Sequence, residues 1–171
     1  MKRGTPSPER RPATRAEARA LAHPLRLRIL RLCLDEALTN RELASRLEEQ
    51  PATVLYHVRT LARTGFLVAE AERRGRRGAR EIPYRATRKS WALELEPGPS
   101  THTAPVDAFR AELATAGPDA VLESIRLGVR LTPQALDRLL RRLARAAMAA
   151  HDADDPDGEP VSIYIGVHRR I

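Results

Sequence analysis

The sequence predicts a mainly α (α+β) fold from three observations. Apolar residues recur at helical spacing through long Ala- and Arg-rich stretches. Two capping boxes, Thr14 to Glu17 and Thr39 to Glu42, mark helix starts. Short alternating apolar runs bounded by Gly and Pro predict strands. A length of 171 residues suits one domain or two small ones.

The N-terminal elements can be placed from their boundary signals. Residues 1–12 are polar, basic and proline-rich, which predicts a disordered basic arm. A helix begins after Thr14, and Pro24 interrupts it because proline disfavours helix at the preceding residue. A second helix follows, with an apolar stripe that includes Cys33. As the chain's single cysteine, Cys33 excludes an intrachain disulfide, and we expect a buried thiol rather than a redox sensor.

Two further helices come next, separated by a short turn. The first follows Thr39, and the second begins at Pro51, where proline suits the first helical position. We expect Gly65 to end the second helix in a left-handed conformation. The predicted inward face of this second helix consists of Val54, Leu55, Val58, Leu61 and Ala62.

A basic hairpin follows these helices. Residues 66–72 and 81–87 are predicted strands, and the arginine-rich turn RRGRRGAR joins them. Helix, turn, helix and basic hairpin is the order of a winged helix-turn-helix, which we assign to residues 13–90. In such a motif the second helix enters the DNA major groove.

Charge is divided unevenly along the chain. Residues 1–90 carry 21 Lys/Arg against 10 Asp/Glu, whereas residues 91–171 carry 9 against 12. The basic half is the one that contains the helix-turn-helix pattern. This asymmetry predicts a polyanion-binding module joined to a part with a different role.

The candidate DNA contacts form three groups. We predict that the recognition helix reads bases and the first helix of the motif crosses the backbone, while the wing holds phosphates or enters the minor groove. The recognition-helix candidates are Thr53, Tyr56, His57, Arg59, Thr60 and Arg63. The wing candidates are Arg73, Arg74, Arg76, Arg77 and Arg80, and the first-helix candidates are Thr39, Asn40 and Arg41.

Residues 91–171 are predicted to form a small C-terminal α/β extension with a dimerisation or regulatory role. We expect a strand at 91–96, a linker to 105, and helices at 105–116, 118–130 and 133–151. The alternating segment 161–167 predicts a final strand paired near residues 91–95. An apolar stripe at Leu136, Leu139, Leu140, Leu143 and Ala147 is either a dimer interface, together with part of the first helix, or intrachain core.

The first half resembles the ArsR-like winged helix-turn-helix regulators. The resemblance lies in ALAHPLRLRILRLCL (20–34), in LTNRELASRLEEQPATVLYHVRTLARTGFL (38–67) and in the wing to about Arg88. It implies a homodimer that binds a pseudo-palindromic operator, usually as a repressor. Metal-sensing members carry a Cys-x-Cys pair before the recognition helix, and its absence here implies the non-metal-sensing type.

Other functional classes find less support in the sequence. The histidines lack metal-ligand spacing, the acidic loop near Gly158 departs from an EF-hand, and no catalytic or cofactor motif occurs, so we expect neither metal nor cofactor and no enzyme. No apolar run is long enough to span a membrane. We therefore expect a cytoplasmic, nucleoid-associated protein that binds double-stranded DNA. The alternative is a winged-helix protein-interaction module, and a small-molecule effector or protein partner stays open.

Overall fold

A computed structural model describes residues 10–75, 80–96, 98–155 and 157–169. The structure is mainly helical with short strands, so the predicted α+β class is confirmed. The chain divides into two compact units, Met1–Glu112 and Leu113–Ile171.

The first unit begins with two short strands and four helices. Their bounds are β1 Arg11–Pro12, α1 Arg15–Leu21, α2 Pro24–Leu32, β2 Leu38–Thr39, α3 Asn40–Leu47 and α4 Pro51–Arg63. The boundary signals in the sequence are confirmed. Both capping boxes form, and Gly65 adopts a φ of 75° directly after α4.

Five described strands follow α4; the first four build the wing and its base, and the last pairs with β1. They are β3 Leu67–Ala69, β4 Arg73–Arg74, β5 Arg80–Glu81, β6 Pro83–Ala86 and β7 Leu93–Glu94. Three antiparallel strands form one sheet in the order β2-β6-β3. The pair β4-β5 continues outward as a separate antiparallel hairpin.

One hydrophobic core holds this unit together. Ile29, Val54, Val58 and Leu61 are fully buried between α2, α4 and the sheet, and Phe66 closes the core from the end of α4. Burying one such aliphatic side chain contributes about 1.5–3 kcal/mol. The core therefore fixes which face of α4 points inward, and so which side chains α4 can offer to a ligand.

The N-terminal segment differs from the prediction at its end. Arg11 and Pro12 were expected in a disordered arm, but they pair in parallel with Leu93 and Glu94. The Arg10 guanidinium lies 4.9 Å from the centre of the Trp91 ring. Residues 1–9 of the predicted arm lie outside the described residues.

Helix α5 spans Pro99–Ala116, so it begins inside the predicted linker. Pro105 lies within this helix, and because it has no backbone N–H, the carbonyl of Thr101 lacks its usual helical donor. A predicted helix at 118–130 is wrong: only a single 3₁₀ turn forms, at Pro118–Ala120. Residues 125–131 alternate apolar and polar with period two, a pattern that does not suit a helix.

The second unit contains α6, Pro133–Asp152, as its long helix. Thr132 caps it, since its hydroxyl accepts a hydrogen bond from the Ala135 amide at 3.2 Å. The predicted strand at 161–167 is wrong, because residues 161–169 carry no regular secondary structure. Alternation creates an apolar face but supplies no ladder partner, and β7 has paired with β1 instead.

Candidate nucleic-acid interface

The junction between α3 and α4 sets the angle at which α4 is presented. Glu48 adopts a left-handed conformation with φ 54° and ends α3, and Pro51 begins α4. Between them, the Asn40 side-chain amide donates to the Pro51 carbonyl at 3.0 Å. Asn40 was predicted as a DNA contact, and the structure shows it half-buried and joining the two helix starts.

Thr39 was also predicted as a DNA contact, but its side chain is not available on the surface. It is 2% exposed, and its hydroxyl takes part in the α3 capping box. The Glu42 carboxylate accepts hydrogen bonds from the Thr39 amide at 2.8 Å and from its hydroxyl at 2.9 Å. The prediction that the Thr39 side chain contacts DNA is therefore corrected, because Thr39 lies in a strand that pairs with Pro83 and its hydroxyl is used in the capping box.

Helix α4 has a strict division between its two faces. Val54, His57, Val58 and Leu61 are buried, at the i, i+3, i+4, i+7 spacing of one helical face. The opposite face is exposed, and it contains Thr53, Tyr56, Arg59 and Arg63. Tyr56 is 64% exposed, so its ring and its hydroxyl are both open to a partner.

His57 corrects the prediction for this helix. It was placed among the outward candidates, but it is 6% exposed and its ring centre lies 4.4 Å from that of His23. The Arg26 guanidinium approaches His57 Nδ1 at 3.4 Å. Because a guanidinium can only donate, this contact requires a neutral His57 whose proton is on Nε2. The spacing from Val54 was the sequence signal for its burial.

Burial and neighbouring positive charge both act on these imidazoles. Burial, followed by the neighbouring His23 and the positive charge of Arg26, lowers the pKa of His57 to about 4. The pKa of His23 is lowered as well, mainly by burial. His23 Nδ1 accepts from the Leu25 amide at 3.2 Å and caps α2, so it also acts as a neutral acceptor. This cluster supports α4 from behind.

Thr60 contacts its own helix. It is half-buried, and its hydroxyl donates to the Tyr56 carbonyl at 3.0 Å. Arg59 and Arg63 are exposed beside it. Of the six recognition-helix candidates, the structure therefore brings four together on one open face and places Thr60 at its border and His57 behind it.

The wing arginines differ in their surroundings. Arg73 Nη2 donates to both carboxylate oxygens of Glu42, at 2.6 and 2.5 Å, and Arg80 Nε lies 3.2 Å from Glu72. Arg74 is exposed. An open cleft of about 490 Å³ is lined by Glu72, Arg73, Arg74 and Arg80. Arg76 and Arg77 lie outside the described residues.

Arg41 on α3 also contacts the wing. Its guanidinium lies 3.4 Å from the Glu81 carboxylate on β5. The sequence predicted Arg41 as a phosphate contact and did not identify Glu42 or Glu81 as functional. Glu42 was seen as part of a capping box, but its second contact connects residues 31 positions apart, which local sequence patterns cannot show.

Other kinds of site lack support among the described residues. No group of three or more His, Cys, Asp or Glu side chains in those ranges is placed to hold a metal ion. No helix in the described ranges combines the length and apolar character that crossing a membrane requires.

The region that contains α2, α3 and α4 matches a known protein family. The family described as helix-turn-helix domain matches residues 21–69. Residues 21–69 are therefore similar to a helix-turn-helix domain. The matched segment runs from the end of α1 through α2, α3 and α4 to β3. The match supports the assignment of the protein as a DNA-binding transcription regulator.

The solved structure of reduced HlyU from Vibrio cholerae N16961 is similar to this chain at 24% sequence identity, with a TM-score of 0.36. The similarity covers 53% of this chain and 80% of the HlyU chain. No curated protein matches the chain by sequence.

Proposed function

We propose that the protein is a sequence-specific DNA-binding transcription regulator that reads double-stranded DNA through α4. One observation carries the proposal: the exposed face of α4 presents Thr53, Tyr56 and Arg59 together, while the opposite face is locked into the core. The core fixes the inward face of α4, and the hydrogen bond from Asn40 to Pro51 fixes its first residue. A rigid helix with a polar open face is what major-groove reading requires.

The chemistry of these side chains fits base and phosphate contacts. Arg59 suits the O6 and N7 acceptors of guanine, and Thr53, near the start of α4, has a hydroxyl for a base or a phosphate. Tyr56 offers a flat apolar body and a phenolic hydroxyl. Arg63, one turn beyond Arg59, and Arg74 on the wing are our candidates for phosphate contacts.

The charge distribution supports a polyanionic partner. The excess of 11 positive charges in residues 1–90 lies in the half of the chain that folds into the helix-turn-helix and its wing. Counterion release by such residues supplies most non-specific DNA affinity. Preference for one DNA site over another then depends on the few side chains on the exposed face of α4. We further propose that the protein acts in the cytoplasm, at the nucleoid, and has no enzymatic role.

Selection of bound fragments from genomic DNA tests the proposal. Purified protein is expected to enrich a shared site, and Arg59→Ala is expected to lose the preference at one position and about 1–3 kcal/mol of binding free energy. Arg31→Ala removes the same charge from an exposed site on α2 and serves as the control. Sequence-specific reading by α4 is rejected if the wild-type protein enriches no site, or if Arg59→Ala and Tyr56→Ala bind with the same affinity and preference as the control. Either result favours the alternative, a winged-helix protein-interaction module.

We also propose a homodimer that represses transcription from a pseudo-palindromic operator. The observation in its favour is that no described residue of 113–169 is buried. In the stripe on α6, Leu140 is 46% exposed and the other four residues are half-buried. Apolar side chains of the flanking segments are open as well, and they include Leu122 at 75% and Ile125 at 77% exposure.

A unit without buried residues does not have the apolar core that stabilises a fold. A second copy that packs on the α6 stripe would cover these side chains, and two copies would match the two half-sites of a palindrome. Mass measurement in solution tests this. Leu140→Asp is expected to convert a dimer to a monomer, while Ala149→Asp, at an exposed position of the same helix, is the control. A wild-type monomer at micromolar concentration contradicts the dimer.

A further inference from the structure

The wing and α3 are joined by two ion pairs that cross between the same elements. Arg73 on β4 pairs with Glu42 on α3, and Arg41 on α3 pairs with Glu81 on β5. We name these four side chains the wing latch. Each strand of the wing hairpin is therefore held by one pair, and the charges alternate, with one cation and one anion on each side.

Glu42 has a double role in the latch. Its Oε2 accepts from the Thr39 amide and hydroxyl in the capping box, while both of its oxygens accept from Arg73. The hydrogen bond from the Thr39 amide, followed by the effects of the Thr39 hydroxyl and Arg73, keeps the pKa of Glu42 below its usual value. The capping box fixes the carboxylate, and the fixed carboxylate gives Arg73 a defined target.

Glu81 is fixed by packing. Its side chain is 17% exposed, against 55% for Arg41. The Glu81 carboxylate lies over Gly75, where a Cβ would fall 2.3 Å from its Cδ atom. A side chain at position 75 would therefore displace the Glu81 carboxylate from this position. The Glu81 carboxylate is thus held close to the hairpin backbone and directed at Arg41.

We propose that the wing latch is a positioning device: Glu42 and Glu81 set the orientation of the wing relative to α4, and Arg41 and Arg73 serve these pairs rather than DNA phosphates. This inference rests on the proposed DNA-binding function. It also separates the wing arginines by role, since Arg73 orients the hairpin and Arg74 remains the candidate for phosphate contact.

Charge exchange between Arg41 and Glu81 tests the latch. Arg41→Glu and Glu81→Arg each place like charges opposite one another, whereas the double variant restores the pair and keeps the net charge of the wild type. Neither residue belongs to the α3 capping box, and a glutamate in the first turn of a helix is favoured. We expect each single variant to bind its selected site about three- to tenfold more weakly, and the double variant to bind within about twofold of wild type.

The Glu81→Arg variant gives the sharpest contrast. If the pairs had no positioning role, two added positive charges near DNA would tighten binding and steepen its salt dependence. Tighter binding by Glu81→Arg, or no recovery in the double variant, overturns the proposal. Glu42→Gln complements this test, because glutamine keeps the capping box but loses the charge that Arg73 needs. Glu49→Gln removes an exposed charge from the turn that follows α3 and is its control.

Hydrogen exchange without DNA tests the latch independently of the proposed function. We expect amides of β4 and β5 to exchange about three- to tenfold faster in Glu42→Gln and in both single variants than in wild type, with recovery in the double variant. Unchanged exchange in all of them overturns the latch. A wild-type protein that binds no DNA rejects the proposed function, and exchange then still decides whether the latch exists.

Discussion

The Arg26 guanidinium lies 3.4 Å from Nδ1 of His57, on the buried side of the helix that presents the candidate DNA contacts. Arg26 is itself anchored, since its side chain donates to the carbonyls of Ala20 and Arg19 at 2.5 and 2.6 Å. The contact therefore connects the end of α1, the start of α2 and the middle of α4. It holds together only while His57 is neutral, because a protonated imidazole would face a fixed positive charge.

Stability should therefore decline in mild acid. The pKa of folded His57 is about 4, below the ordinary value of 6.5, so the unfolded chain takes up a proton that the folded chain refuses. This contribution is present above about pH 6.5 and is lost as the pH falls towards 4. Between pH 7 and 5 we expect about 2 kcal/mol of unfolding free energy to be lost.

Chemical denaturation at pH 7, 6 and 5 measures this loss. His57→Gln removes the titrating group, so its unfolding free energy should depend less on pH, with the part due to His23 retained. His102→Gln removes an exposed imidazole on α5 and is the control. Equal pH dependence in His57→Gln and the wild type would show that this imidazole is not the cause.

A second prediction concerns Glu17, the carboxylate of the first capping box. It accepts from Arg11 at 2.6 Å and lies 2.6 Å from Lys89 Nζ, while Lys89 also donates to the Thr64 carbonyl at the end of α4. These contacts, first that of Arg11 and then that of Lys89, hold the pKa of Glu17 well below its usual range. Glu17→Gln keeps the capping box but leaves two cations without their shared partner.

We expect Glu17→Gln to lower the melting temperature at pH 7, and the difference from wild type to shrink as the pH falls through the ordinary titration range of a carboxylate. The sign follows from the lowered pKa, because in this range the unfolded chain binds a proton at Glu17 that the folded protein, where Glu17 stays ionised, does not bind. Differential scanning calorimetry between pH 7 and 4 measures it. Glu94→Gln, an exposed change on β7, is the control; a Glu17→Gln melting temperature equal to that of the control contradicts the prediction.

A third prediction concerns the reactivity of Cys33. Its side chain is fully buried, and burial raises the pKa of the thiol to about 12. Since the thiolate is the reactive form, a thiol reagent should modify the folded protein no faster than the chain opens. We expect the labelling rate to rise with denaturant in step with unfolding. Rapid stoichiometric labelling of native protein at pH 8 would show that Cys33 is accessible.

A fourth prediction separates two exposed arginines of α4. Arg59 lies near Tyr56 on the open face, while Arg63 lies in the last turn. Arg63→Gln should weaken binding to all sequences alike and reduce the magnitude of the slope of log affinity against log salt by about 1, as the loss of one phosphate contact does. Arg59→Gln should instead relax preference at one base pair. Binding to a panel of single-base variants at several salt concentrations distinguishes them, and identical profiles would reject the division.

Local sequence signals predicted much of the first unit because they act over a few residues. The capping boxes at Thr14 and Thr39, Pro51 at a helix start and Gly65 after a helix end each specify backbone geometry by a short-range steric or hydrogen-bonding effect. The helix-turn-helix order and its basic wing followed from these signals.

In the second unit, the alternation of apolar and polar residues did not correctly predict a strand. Residues 161–167 have the pattern of a half-buried strand, but a strand also needs a neighbour with free backbone groups. The segment that was expected to be its neighbour, near Leu93, is paired with Arg11 and Pro12. The pattern therefore indicates an apolar face without indicating what covers it.

By itself, then, the sequence determined the helix starts and ends, the basic character of the first half and the position of the open face of α4. Only the tertiary structure decided which of the predicted DNA contacts stay open to a partner. Thr39 and His57 are turned inward, and Arg41 and Arg73 face Glu81 and Glu42 on neighbouring elements. The reason is physical: helix periodicity and capping are local, whereas an ion pair between α3 and the wing exists only after the core has brought the two together.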